Sequence, residues 1–196
     1  MLNPKETVII FGRSMFINEI REFIPDLIKT YKTIGINSFS WLYRTDYIFF
    51  YDDFEPKLFD EKQTVITDIR LFQNKRTRAY GVLKDTENKE LYLVNKSETE
   101  FTTDDMRLNF YFHTPTMAMN WAYKKGFKNV VLAGIELSRD TRHFDSSYLA
   151  CWTDNKRIRA RKHLENVCTK YLNIYQLDKN STLNIEKIDI KDLTEC

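Results

Sequence analysis

An α/β fold with a doubly wound, mainly parallel sheet is what this sequence predicts, and three observations predict it. Short runs rich in β-branched and aromatic residues recur along the chain, TVIIF at 7–11, DYIFFY at 46–51 and NVVLAGIEL at 129–137. They lack the polar alternation of a half-wet sheet, so they read as strands covered on both faces. Stretches with apolar residues at helical spacing sit between such runs, the sign of βα units. The first three apolar runs stop at a small or polar residue, Gly12, Asn37 and Asp52. In a parallel sheet those stops share the carboxyl edge, where ligands sit. The expected organisation is one Rossmann-like domain over 1–196, with a small β-hairpin insertion inside a β-rich stretch at 63–112 and a lid-like loop at 138–154.

Taken in order, residues 7–11 are a strand and Gly12 a tight turn. Phe16, Ile20, Phe23, Ile24 and Leu27 then form the apolar stripe of one helix reaching about residue 29, with Pro25 a possible kink. Residues 32–37 and 46–51 are the second and third strands. Residues 63–72, 78–83 and 90–94 read as shorter strands, and the turn-like DTENK between the last two suggests a hairpin. Residues 110–113 lead into a helix at 115–125, with Thr114 as N-cap, Pro115 at its first position and Gly126 as its stop. Residues 129–137 follow as the clearest strand. Residues 138–154, SRDTRHFDSSYLACWTD, are polar, aromatic and irregular, whereas 155–171 is an amphipathic helix with Ile158, Leu164, Val167, Cys168 and Tyr171 facing in. NIYQL at 173–177 is the last sheet strand, and the weakly alternating 183–190 can form an edge strand.

The bulk composition excludes several classes. Hydrophobic residues make up 42% and charged residues 30% of the 196, an ordinary globular balance. A net charge of +2 does not by itself call for nucleic acid. Three cysteines (151, 168 and 196), with no CxxC pair, argue against a disulfide framework or a cysteine-rich zinc site and suit a reducing cytoplasm. No apolar run reaches the ~18 residues of a membrane span, and the N-terminus does not have the shape of a signal peptide.

Candidate site residues follow from chemistry and place. Arg13 and Ser14 sit in a strand-turn-helix, where backbone amides and a helix start can hold a phosphate and Arg13 adds positive charge. The turn has one glycine, not the spaced three of a dinucleotide fingerprint, so it also reads as a plain βα turn. Asn37 can hydrogen-bond a base or ribose, or can be a strand-end turn residue. Asp52 and Asp53 point in opposite directions if extended, which makes a shared metal awkward; Asp52 suits a ribose or amine contact and Asp53 the surface. His143, flanked by Arg142 and Asp145, is the histidine best placed for acid–base work, since imidazole titrates near neutrality. An exposed loop histidine is the plain alternative. His113 either packs at the Thr114 helix start or approaches a ligand, and His163 reads as structural. Trp121, Tyr148 and Trp152 can stack a sugar or base, or pack. The basic stretch KRIRARK, with NKRTR at 74–78, could track phosphates, but such charge usually marks a solvated face.

Three stretches together resemble the small bacterial lipo-oligosaccharide sialyltransferases that use CMP-sialic acid. That family opens with a strand, a Gly-Asn-Gly-Pro-Ser turn and a Glu-Ile helix start. This chain has Gly12-Arg13-Ser14-Met15-Phe16 followed by Ile17-Asn18-Glu19-Ile20. The family's second strand ends in asparagine before an aromatic, as Asn37 and Phe39 do here, and its third ends Phe-Tyr-Asn where this chain has Phe50-Tyr51-Asp52. Its late block, Ser-Gly, helix, Gly-Tyr-Lys and a strand ending Ser-Gly-Ile-Asp, is matched by Thr114-Pro115, a helix, Gly126-Phe127-Lys128 and Ala133-Gly134-Ile135-Glu136. The turn's Asn, second Gly, Pro and Ser are replaced, and Trp152 aligns with the family's general-base histidine. The resemblance implies a nucleotide site at Gly12, Arg13, Ser14, Asn37, Asp52, Thr114 and Gly134. It implies no cofactor beyond a CMP-type nucleotide-sugar donor as substrate, a glycan acceptor, and an inverting, metal-independent transfer. Tyr148 stands in for one of the family's two lid tyrosines. With Arg142 and Arg13 it would neutralise the departing phosphate, while His143 would take the acceptor proton. Acceptor glycolipids lie at membranes, so a peripheral contact through basic surface is part of this expectation. The alternatives are a catalytically inactive nucleotide- or glycan-binding relative and a nucleic-acid-associated protein using the basic helix.

Overall fold

A computed structural model describes residues 2–97, 99–111, 113–137 and 154–194. Nine strands form one sheet: β1 (Thr7–Phe11), β2 (Lys32–Ile36), β3 (Tyr47–Phe49), β4 (Thr64–Asp68), β5 (Lys89–Lys96), β6 (Arg107–Phe110), β7 (Asn129–Ala133), β8 (Asn173–Gln176) and β9 (Glu186–Lys187). Their order is β6-β5-β4-β3-β2-β1-β7-β8-β9, and every neighbouring pair is parallel. The fold is the expected α/β, doubly wound arrangement. The chain builds outward from β1 to β6 and then returns to place β7 on the other side of β1. That reversal makes the carboxyl ends of β1 and β7 the topological switch point.

Alternation along the strands sorts the core into two layers. Val8 and Ile10 of β1 face one side, with Met117 and Trp121 of α5 (Thr114–Lys124) and Leu164 of α6 (Asp154–Asn166). Ile9 and Phe11 face the other, with Ile17 of α1 (Phe16–Glu19), Leu27 of α2 (Ile24–Thr30) and Leu193 of α7 (Lys191–Thr194). Farther along the sheet Ile48, Phe50 and Val65 cover Ala79 and Leu83 of α4 (Arg78–Leu83), next to α3 (Ile69–Gln73). Trp121 lies in the core, Nε1 donating to Glu90 at 2.9 Å, with its ring against Tyr47 and Phe49.

Several local expectations are corrected. Among the described residues of 63–112 there is no hairpin: β4, β5 and β6 are parallel members of the main sheet. The run at 63–72 divides at Asp68, whose carboxylate accepts the Arg70 amide and starts α3. Residues 78–83 are the helix α4, capped by Thr77 accepting the Tyr80 amide at 3.1 Å. Pro25 does not kink a long helix; it occupies the first turn of a new one, α2. The N-cap of α5 is His113 and not Thr114. The helix expected at 155–171 ends at Asn166, with a 3-10 turn at Cys168–Lys170. Ile158 is exposed on it. The edge strand expected at 183–190 narrows to the two residues of β9.

Candidate functional site

The switch point is a tight seam. The Gly12 amide donates to the Ala133 carbonyl at 2.7 Å and the Ser14 amide to the Gly134 carbonyl at 3.0 Å, so the β1–β7 pairing continues past both strands. A Cβ on Gly12 would stand 2.3 Å from the Gly134 oxygen. Gly134 has φ +69°, and a Cβ there would stand 2.6 Å from Ile17. Neither position can carry a side chain in this geometry. The seam also changes the expected role of the turn: the Gly12 and Ser14 amides are spent on β7, so neither is presented to a phosphate. Arg13, between them, is half-buried with a buried Nε. Ser14 Oγ donates to Glu136 Oε1 and accepts the Phe16 amide at 3.3 Å.

Beside this seam, on the β2 side, Asn37 opens a 3-10 turn (Asn37–Trp41) with φ 51°, a left-handed conformation that asparagine tolerates better than most residues. Its Oδ1 and the hydroxyl of Ser38 are buried, with no hydrogen-bond partner among the described residues. On the β8 side Gln176 is fully buried; its Nε2 donates to the Ile135 carbonyl at 3.3 Å and its Oε1 has no partner among the described residues. A buried polar atom left unpaired costs ~1–3 kcal/mol, and three such oxygens flank this one seam.

Carboxylates complete the edge. Glu136 lies two residues past Gly134, and Asp178, buried just past β8, is a neighbouring acid. Burial, together with Asp178 and the nearby Glu19, outweighs the Ser14 hydrogen bond and pushes the Glu136 carboxyl up to about 7. A group poised there can give or take a proton at neutral pH.

The other expected residues are dispersed along the same edge. Asp52 is exposed beyond β3, two strands and about 10 Å from β1. Asp53 is tied to α4, accepting the Ala79 amide at 3.1 Å, and Arg78 donates to the Asp53 carbonyl at 2.7 Å. Thr114 is buried at the start of α5, whose amino end faces the carboxyl edge because the helix crosses from β6 to β7. His113 and His163 belong to the packing between α5 and α6. His163 stacks on Tyr111 at 5.0 Å, with its Nδ1 3.8 Å from Cys168 Sγ. Burial, and then the neighbouring His163, push His113 down to about 3. In the basic helix Arg157 pairs with Asp154 and Arg161 with Glu165, so part of its charge is neutralised. Arg142, His143 and Tyr148 lie outside the described residues, as does the lid-like loop up to residue 153.

Sequence reasoning missed Ser38, Gln176 and Asp178 and treated Glu136 only as part of a motif. The signal was present: a charged residue directly after an apolar strand, in AGIE and YQLD, is the same cue that singled out Asn37 and Asp52. A cavity of about 420 Å³ between Tyr123, Phe127, Lys128, Tyr171 and Asn173 opens at the amino ends of β7 and β8. It is a crease on the edge opposite the switch point, away from every group described above. Among the described residues no three or more His, Cys, Asp or Glu side chains are grouped to hold a metal ion, and no helix is long and apolar enough to cross a membrane.

No protein-family model and no curated protein matches the sequence. Solved structures similar to this chain include three from Campylobacter jejuni. The sialyltransferase CstII in complex with the substrate analogue CMP-3FNeuAc aligns at 17% identity over 92% of this chain and 84% of its own, TM-score 0.44. An α-2,3-sialyltransferase in apo form aligns at 16% identity over 99% and 84%, TM-score 0.43. The monofunctional α-2,3-sialyltransferase Cst-I aligns at 12% identity over 99% and 84%, TM-score 0.46. At these values the likeness assigns this chain no activity.

Proposed function

We propose that this chain binds a nucleotide across the carboxyl edge of its sheet at the β1–β7 switch point, and that it is a glycosyltransferase of the sialyl type using a CMP-activated sugar. The observation that carries the binding site is the set of buried, unpartnered oxygens on Asn37, Ser38 and Gln176 beside the Gly12–Gly134 seam. Hydroxyl and amino donors of a ribose or base would satisfy them. The choice of CMP and of sialyl transfer rests on the sequence resemblance at 12–20, 37–39, 50–52 and 126–136. In this reading Ser14, Asn37 and Thr114 contact the nucleotide, Gly12 and Gly134 allow the close approach of the two turns, and Asp52 reaches an outlying part of the ligand. Arg13, Arg142 and Tyr148 offset charge on the departing phosphate, and His143 takes the proton of the acceptor hydroxyl. The acceptor is a glycan, and the basic face of α6 offers a peripheral contact with an anionic membrane.

The test is calorimetric titration with CMP, CDP, UMP, UDP, GDP and CMP-sialic acid, each with and without magnesium. Binding of CMP and its sugar without magnesium is expected. Diphosphate binding only with magnesium would replace the donor class and bring Asp52 forward as a ligand. Silence across the panel would end the nucleotide reading. Trp152, at the position aligned with a general-base histidine, favours a second reading, a nucleotide-binding relative without transfer activity. Loss of transfer in His143→Ala supports the enzyme; CMP binding with no transfer to any glycan supports the relative.

A further inference from the structure

We propose that the crease at the amino ends of β7 and β8 is a second ligand site, one that takes a saccharide carrying a single negative charge. It does not rest on the nucleotide reading and lies apart from that site, since the five residues of β7 put about 15 Å between the two edges of the sheet. The crease has a volume of about 420 Å³, inside the ~300–1,000 Å³ usual for small-molecule sites. Two segments distant in sequence wall it. One is the end of α5 with the turn that leads into β7; the other is the 3-10 turn at Cys168–Lys170 with the start of β8. The Asn173 amide donates to the Lys128 carbonyl at 2.9 Å and joins the two.

Aromatic rings give the crease its first property. Tyr123, Phe127 and Tyr171 line it, and each is half-buried. Neighbouring rings fix their positions. Tyr171 stacks on Phe101 at 4.7 Å and meets Tyr123 edge-on at 5.3 Å, while Phe127 lies 6.3 Å from Trp121. The two tyrosine rings, 65° apart, make a corner, and rings held in this way lose little freedom when a ligand packs on them. An aromatic face is negative and attracts weakly positive C–H groups; the C–H face of a pyranose is such a surface. Polar groups supply the second property. Asn173 spends its Nδ2 on Asn129 Oδ1 at 3.0 Å, which leaves its own Oδ1 to accept from a sugar hydroxyl. Of the two lysines lining the crease, Lys128 is engaged by Glu6, and Lys170 stands exposed on the 3-10 turn. One available ammonium suits one carboxylate. An acyl chain would leave these polar groups unmatched, and a nucleic-acid strand needs a row of cations that two lysines do not supply.

The experiment is a backbone-amide NMR titration of the full chain with 3′-sialyllactose and with lactose, its neutral counterpart. Amide shifts are expected at 123–128 and 169–173. The Kd for sialyllactose should be about 1 mM, that of a shallow site, and lactose should bind about two- to fivefold more weakly, the worth of one exposed ion pair. Lys170→Glu should reverse the preference, and because this lysine is exposed the variant keeps its fold. Tyr171→Ala should weaken both saccharides about tenfold; Lys170→Glu decides the matter if that variant fails to fold. No shift in the crease at about 10 mM of either saccharide, tenfold over the expected Kd, overturns the inference. So does equal binding of the two saccharides, or undiminished affinity in a folded Tyr171→Ala. CMP added to the same sample reports at 12–15 and 37–41, so the nucleotide reading stands or falls by a separate signal.

Discussion

Gly12 and Gly134 hold the two halves of the sheet together, and they differ in what a side chain would strike. A methyl at Gly134 meets the flexible end of Ile17 and adds the strain of φ +69°, a cost of about 2–3 kcal/mol. A methyl at Gly12 meets a backbone carbonyl that cannot turn aside. Urea unfolding should therefore rank Gly12→Ala below Gly134→Ala, and both below wild type; equal stabilities would contradict the seam. Two half-buried titrating groups pull stability in opposite directions. Glu136 is raised from 4.5 to about 7, so the folded chain keeps a proton that the unfolded chain gives up. Its contribution falls as pH rises from about 4.5 to 7 and is flat above. His113 is lowered from 6.5 to about 3; the folded chain refuses a proton that the unfolded chain accepts, and stability is lost as pH falls below about 6.5. Between pH 4.5 and 6.5 the two slopes offset each other. The Tm of Glu136→Gln should rise across that window and the Tm of His113→Gln should fall, each relative to the flatter wild type. Profiles parallel to wild type would show that neither group titrates as described.

At the scale of elements, the helix α4 and the anchoring of α5 can be tested separately. Thr77 caps α4, so Thr77→Ala should cost about 1 kcal/mol in denaturant unfolding. A strand at the same place has no such cap, and a neutral result would return 78–83 to the β reading. Glu90 reaches from β5 to accept the Tyr92 hydroxyl at 2.6 Å, Trp121 Nε1 at 2.9 Å and Lys125 Nζ at 3.0 Å. Removing it leaves a core indole N–H unpaired, so Glu90→Ala should lose about 2–3 kcal/mol, with a shift in Trp121 fluorescence. The hydrogen bonds from Tyr92, Trp121 and Lys125 keep this carboxyl ionised despite its burial, and its pKa lies below the ordinary glutamate value. Full stability in the alanine variant would show that β5 and α5 are held by apolar packing alone.

At the scale of the molecule, a nine-stranded parallel sheet with one reversal of strand order has one natural crevice, and its polar features gather there. The unpartnered oxygens lie on β2's turn and on β8, one strand to each side of the β1–β7 seam. Glu136 and Asp178 are at the same end. Backbone hydrogen exchange should be slowest in β1, β2 and β7, which are central and buried on both faces. Added CMP should slow exchange further in the turns at 12–15, 37–41 and 134–137. Protection confined to the amino ends of β7 and β8 would move the binding site to the opposite edge.

Runs such as TVIIF, KTIGI and NVVLA determined strands buried on both faces by themselves, because only a parallel sheet wrapped by helices has room for so little polarity. The strand-end residues Gly12 and Asn37 were legible for the same reason: a polar or small stop after such a run falls on the carboxyl edge. Where a run was short or mixed the sequence was ambiguous. IRLFQ and RAYGVL suit either period over so few residues, and their helical state depends on Asp68 and Thr77 as caps and on Asp53, 26 residues from Ala79. Only the tertiary structure decided which strands are neighbours. That alone spends the Gly12 and Ser14 amides on β7 and turns Glu136 toward Ser14, 122 residues away. Pairing β7 with β8 likewise sets Gln176 opposite Leu132, where its Nε2 reaches the Ile135 carbonyl. Periodicity reports which face of an element is buried; it carries no record of which distant hydroxyl a strand-end carboxylate will meet.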